Sequence, residues 1–115
     1  MVTVHDAIRA RQLLPHFQPV VRLSDGAIHA HEALVRLKPG LPWTTPDQLF
    51  AQALVEGSLQ ELEVACVRLA LTEWAAADRS GKLFLNMSAT ALISALAQQD
   101  FELLMTCLLY TSRCV

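Results

Sequence analysis

The chain lacks most of the features by which a small protein announces its chemistry. It has no basic surplus: nine Lys and Arg stand against eleven Asp and Glu, a formal net charge of −2. Bulk nucleic-acid binding by charge is thereby excluded, because that mode needs cations to neutralise a row of phosphates. It has no long apolar run, each one breaking well short of the roughly 18 residues that a membrane span needs. The opening, Met1 to Arg11, carries Asp6, Arg9 and Arg11 and lacks the apolar stretch of a secretory signal. Cysteine is scarce. The three at positions 66, 107 and 114 are an odd, widely spaced set that makes neither a disulfide framework nor a zinc pattern. A reducing, cytoplasmic setting is the expectation that follows. There is no glycine-rich phosphate loop, nucleophile elbow or Ser/His/Asp arrangement. Apolar residues, by contrast, make up 53%, which excludes a disordered chain, and 115 residues fit one domain.

Those apolar residues fall into an ordered series. Val4 to Leu14 reads as a short helical lead-in stopped by Pro15, and His16 to Leu23 as a strand. Ser24-Asp25-Gly26 is a tight-turn signal, and Ala27 to Leu37 a second strand, so the two should form a hairpin. Lys38 to Thr44 is a loop. Thr45-Pro46-Asp47-Gln48 opens a helix, with Thr45 as cap, Pro46 in the first turn and Gln48 completing a capping box. That helix stops at Gly57. Ser58 then caps a second helix, with Glu61 as its box partner, running through Leu62, Cys66 and Leu69 to near Asp78. Arg79-Ser80-Gly81 turns the chain into a third strand, Lys82 to Met87. Ser88 caps a further helix through Ala97, and Gln98 to Asp100 separates it from a last apolar stretch. Strand, strand, helix, helix, strand, helix points to an α/β fold with a parallel unit.

Few side chains in this series can carry chemistry. Alternation puts Ile28, Ala30, Glu32, Leu34 and Arg36 on one face of the second strand, and His29, His31, Ala33, Val35 and Leu37 on the other. Glu32 and Arg36 thus share an otherwise apolar face. They read either as a structural ion pair or as a metal-binding carboxylate beside a phosphate-gripping arginine. Asn86, ending the third strand, either satisfies the strand-to-helix turn or offers an amide oxygen to a hard cation. The carboxyl ends of strands are where parallel barrels build their sites, which favours reading Glu32 and Asn86 together. His29 and His31 have His-x-His spacing but no third ligand nearby, and lie opposite Glu32. Cys66 reads as a small core hydrophobe, and Trp43 and Trp74 as packing residues.

Three segments together carry a family resemblance. Phe17-Gln18-Pro19-Val20, then Glu32-Ala33-Leu34-Val35-Arg36, and finally Leu85-Asn86-Met87-Ser88 resemble, in order and interval, the opening half of an EAL domain. That family hydrolyses the bacterial second messenger cyclic di-GMP to the linear dinucleotide. The resemblance covers roughly residues 12 to 98. It implies an incomplete (β/α)8 barrel whose first strand is antiparallel to its neighbour, in keeping with the hairpin. It implies Glu32 and Asn86 as ligands of Mg2+ or Mn2+, Arg36 on a phosphate or guanine edge of cyclic di-GMP, and Gln18 lining the pocket. It further implies fused sensor or GGDEF domains in the parent and an EAL homodimer as partners. Two such cations roughly 3.5–4 Å apart activate a water and neutralise phosphate charge in phosphodiester hydrolysis.

The later carboxylates and the catalytic lysine of the family pattern do not occur here, and a complete barrel takes about 250 residues. The chain therefore reads as a fragment, inactive by itself. Its expected divisions are a lead-in over 1–11, a partial EAL domain over 12–106 and a non-native tail over 107–115. Cys107-Leu108-Leu109-Tyr110-Thr111-Ser112 resembles a translated transposase end sequence used as a sequencing-library adapter. Three functions follow: the front of a cyclic di-GMP phosphodiesterase, a degenerate EAL domain that binds the dinucleotide as a receptor, or a small α/β interaction domain matching the motifs by chance.

Overall fold

The computed structural model describes residues 2–77 and 81–97. The expected end of the second helix near residue 78, the turn at 79–80, the stretch from 98 and the proposed tail lie outside them. The order is α1 (Val4–Arg9), β1 (Leu13–Val21), β2 (Ile28–Leu37), α2 (Pro46–Glu56), α3 (Leu59–Ala76), β3 (Lys82–Phe84) and α4 (Ala89–Ala97). The three strands form one sheet in the order β1-β2-β3, antiparallel in the first pair and parallel in the second.

The lead-in helix is shorter than its sequence suggests. Thr3 and Asp6 close a capping box at its start, and the backbone N–H of Thr3, bonded to the Asp6 carboxylate, holds Asp6 below the usual carboxylate range. The helix ends at Arg9, and Arg11 turns the chain with a left-handed φ of 55°. Pro15 is therefore no helix stop; it lies inside β1. The lysine-38 amide donates to the Gln12 carbonyl, so even-numbered β1 residues face β2 with their hydrogen-bonding groups. The ring nitrogens of Pro15 and Pro19 then fall on the outer edge of the strand, where no ladder donor is needed. The hairpin closes as expected. Gly26 adopts φ 72°, its N–H donates to the Arg22 carbonyl, and Asp25 accepts from the Ala27 N–H.

The register sorts the sheet into two faces. Leu13 pairs with Leu37, Pro15 with Val35, Phe17 with Ala33 and Pro19 with His31. This face is covered by helices. Val4, Leu13, Val35, Leu49, Ala53 and Leu62 form one cluster, and Val67, Leu71, Trp74 and Leu83 another. Each fully buried leucine stabilises the fold by about 1.5–3 kcal/mol. Trp43 packs on the first cluster and Trp74 is buried in the second, edge-on to Phe17 at 5.1 Å. Both tryptophans are packing residues, as their sequence context suggests.

Helix α2 starts and stops where expected. The Thr45 hydroxyl accepts from the Gln48 N–H, and Gly57 takes the left-handed cap at φ 75°. The Gln48 side chain, however, reaches one residue further back, accepting from the N–H and hydroxyl of Thr44. The second expected box does not form. Ser58 makes no side-chain cap, and Glu61 pairs instead with His5 of α1. A bond between the Glu61 carboxylate and a ring on another helix competes successfully with a weak local one.

Candidate functional site

The second face of the sheet carries the candidate residues. Leu14 pairs with Arg36, His16 with Leu34, Gln18 with Glu32 and Val20 with Ala30. Antiparallel partners stand side by side on one face, so Gln18 and Glu32 are immediate neighbours. On the other side of β2, Glu32 is in parallel register with Phe84 of β3. Gln18 and Arg36 are exposed and Glu32 is half-buried. Among the described residues, the side chains of Gln18 and Glu32 make no hydrogen bond or ion pair, so the carboxylate's lone pairs are open.

The ion pair between Glu32 and Arg36 does not form. Four residues along a strand separate their backbones by about 13 Å. Arg36 turns its Nη1 onto the carbonyl of Val35 at 3.1 Å instead.

Strand β3 ends at Phe84, so Asn86 sits in the connection to α4 rather than in the strand. Its Nδ2 donates to the Ala33 carbonyl at 3.4 Å, which leaves Oδ1 as the amide's acceptor. Two residues past Phe84 on a neighbouring strand puts the Asn86 backbone about 8 Å from that of Glu32. An exposed amide oxygen and an unpaired carboxylate are both hard donors, the kind Mg2+ or Mn2+ selects. The pair fits part of such a site and no more. Among the described residues no group of three or more His, Cys, Asp or Glu converges on one point.

The His-x-His reading fails on geometry. The register skips His29 between the Val20–Ala30 and Val21–Ile28 pairs, so a bulge lies there. The His29 ring sits 6.5 Å from that of Phe84, whereas His31 packs at 5.5 Å on Trp74 of the covered face. The two imidazoles serve different surroundings.

Arg36 and Asn86 border a cleft of about 210 Å3 at the carboxyl ends of β2 and β3, between the sheet and helices α2 and α3. Asp47, Phe50, Glu63 and Cys66 also line it, while Glu32 and Gln18 lie outside it on the open face. Burial, with the nearby Glu63 charge, pushes the Cys66 thiol up to about 12. It is thus a neutral core group, as expected, and no nucleophile.

Glu63 stands in none of the sequence motifs. It accepts from the Ser88 N–H at 3.0 Å and from the Ser88 hydroxyl at 2.8 Å, and Ser88 Oγ in turn accepts from the Ala91 N–H. Ser88 does cap α4, as its sequence position suggests. Its acidic partner lies 25 residues earlier, where no local pattern marks it.

A hairpin followed by two helices and a parallel strand, with polar residues gathered late in the strands, defines an α/β barrel segment of the site-bearing kind. The EAL domain family model matches residues 1–109, and the chain belongs to that family. The three motifs are thus family features rather than chance matches, and the sheet is part of an EAL-type (β/α)8 barrel. The chain is also similar to the cyclic di-GMP phosphodiesterase NbdA of Pseudomonas aeruginosa. It is 29% identical over 96 residues, which cover 83% of this chain and 12% of that protein. The chain therefore spans about an eighth of the length of this relative. No helix among the described residues is long and apolar enough to cross a membrane.

Proposed function

We propose that this chain supplies the first strands and the first metal ligands of a cyclic di-GMP phosphodiesterase. The observation that carries the proposal is the Glu32 carboxylate, which has no protein partner among the described residues although it is half-buried on the sheet. A carboxylate with open lone pairs, near an exposed amide oxygen, is part of the donor set that a hard cation takes. Glu32 and the Asn86 amide oxygen would hold a hard divalent cation, Mg2+ or Mn2+. When bound, such an ion supplies Lewis acidity and neutralises phosphate charge.

The chain's own groups have distinct tasks. Arg36, at the mouth of the cleft, presents a planar fork that matches a phosphate or a guanine edge. Gln18, beside Glu32, donates and accepts at the pocket wall and orients the dinucleotide. The remaining carboxylates and the proton-handling lysine belong to the rest of the barrel, so the 115 residues alone are inactive. The parent is cytoplasmic, acts as a homodimer and is joined to sensor or GGDEF domains.

The full reading frame, expressed and assayed with Mg2+ or Mn2+, tests this. Glu32→Ala should lower cyclic di-GMP hydrolysis by more than about 100-fold, since even residues behind the ligands contribute 10–100-fold. Equal rates for Glu32→Ala and its parent would overturn the proposal. A parent that binds the dinucleotide tightly without cleaving it would make the domain a receptor.

A further inference from the structure

We infer that Glu63 is a positioning residue for Asn86, acting through Ser88. The inference rests on Asn86 being a metal ligand, as proposed above. The connection between Phe84 and Ala89 is short, and it is tied down at two points. At one, Asn86 Nδ2 holds the Ala33 carbonyl. At the other, Glu63 grips Ser88 with both carboxylate oxygens, one on the N–H and one on the hydroxyl.

Every group in this clasp is used in the sense its chemistry allows. The Ser88 hydroxyl donates its proton to Glu63 Oε2, which leaves a lone pair for the Ala91 N–H at 3.1 Å. The bonds to an ionised carboxylate are stronger than neutral ones. Glu63 also places a negative charge at the start of α4, where free N–H groups and the helix dipole favour it. Residue 88 is thereby fixed relative to α3, and residue 86 relative to β2. Only Met87 lies between the two tethered residues, so the direction of the Asn86 amide oxygen depends on both tethers.

Two observations distinguish this from a plain helix cap. A serine cap needs no carboxylate, since the Ser88–Ala91 bond alone satisfies the cap. Moreover, Glu63 and Asn86 border the same cleft, so the clasp forms part of the site's wall.

The test uses the full-length protein and Mn2+ as probe. Direct Mn2+ binding, read by electron paramagnetic resonance without dinucleotide, should weaken by about tenfold or more in Glu63→Ala and in Ser88→Ala. The double variant should be no worse than either single one, because the two residues act as a unit. Glu63→Gln, which can still accept from the Ser88 N–H, should recover part of the affinity. The KM for cyclic di-GMP at saturating Mn2+ should change less than about twofold, because the clasp acts through the metal ligand. If Glu63→Ala and Glu63→Gln both lower the melting temperature but bind Mn2+ like the parent, Glu63 is structural and the inference fails. Asn86→Ala separates this from failure of the underlying reading. If Asn86→Ala loses Mn2+ while the Glu63 variants do not, only the clasp is wrong. Unchanged binding in Asn86→Ala would overturn both.

Discussion

The two faces of the sheet are built from the same three strands, yet they follow opposite rules. One face alternates Leu13, Phe17, Ala33, Val35 and Leu37 under helices, and what it needs is volume and fit. The other carries Gln18, Glu32 and Arg36, and among the described residues the Gln18 and Glu32 side chains make no hydrogen bond or ion pair there. Period-two alternation serves stability on one side and a site on the other. A residue therefore has to be judged by its face rather than by its neighbours in sequence.

The sharpest way to break this comparison is to take the 115-residue chain by itself. Its open face and outer surface present Leu14, Val21 and Ile28 at 45, 51 and 58% exposure. Uncovered strand edges and apolar patches favour association. The isolated chain should bind a hydrophobic dye and melt without cooperativity. A sharp, reversible melt of a monomer would mean that the covered face suffices for folding.

Within the full-length protein, the faces should respond differently to truncation. Leu62→Ala on the covered side should lower the free energy of unfolding by about 3 kcal/mol, within the 2–5 found for buried leucines. Glu32→Gln on the open side should change it by less than about 0.5 kcal/mol. Urea titration of both variants checks the contrast, and similar values would erase the distinction between a packing face and a site face.

Smaller still is the cap of α2, which belongs to the covered side. Thr45→Ala removes the acceptor for the Gln48 N–H and should cost about 1 kcal/mol by the same titration. An effect absent at neutral pH is a pH dependence from Cys66, whose thiol is raised from an ordinary 9.0 to about 12 by burial. Between those values the unfolded chain releases a proton that the folded one retains, so stability falls as pH rises through that window. Below about 9 both states are neutral at Cys66 and the contribution is constant. Cys66→Ala should remove this alkaline slope, and alkylation of Cys66 at pH 8 should be slow in the folded protein.

Much of this was legible in the sequence. The order of elements, the Asp25-Gly26 turn, the Thr45 cap and the Gly57 stop all rest on bonds within a few residues. Cys66 and Trp74 are legible as packing residues from helical spacing, and Trp43 from bulk. Where the sequence misled, a remote group had won. Glu61 left its local box for His5, a hydrogen-bond partner 56 residues away. Pro15 reads locally as a helix stop, because its place on a strand edge depends on pairing with β2. The Glu32–Arg36 pair failed because sharing a face does not mean sharing a position along it.

The sequence by itself determined the family, the α/β class and the identity of the candidate ligands, since motifs and periodicity are written in consecutive residues. Only the tertiary structure decided how those residues stand. It put Gln18 beside Glu32, parted His29 from His31, turned the Asn86 amide by a bond to Ala33, and brought Glu63 to Ser88. The physical reason is one of range. A turn or a cap forms from neighbours whatever the rest does, whereas an ionised or amide side chain takes the best partner the folded chain presents.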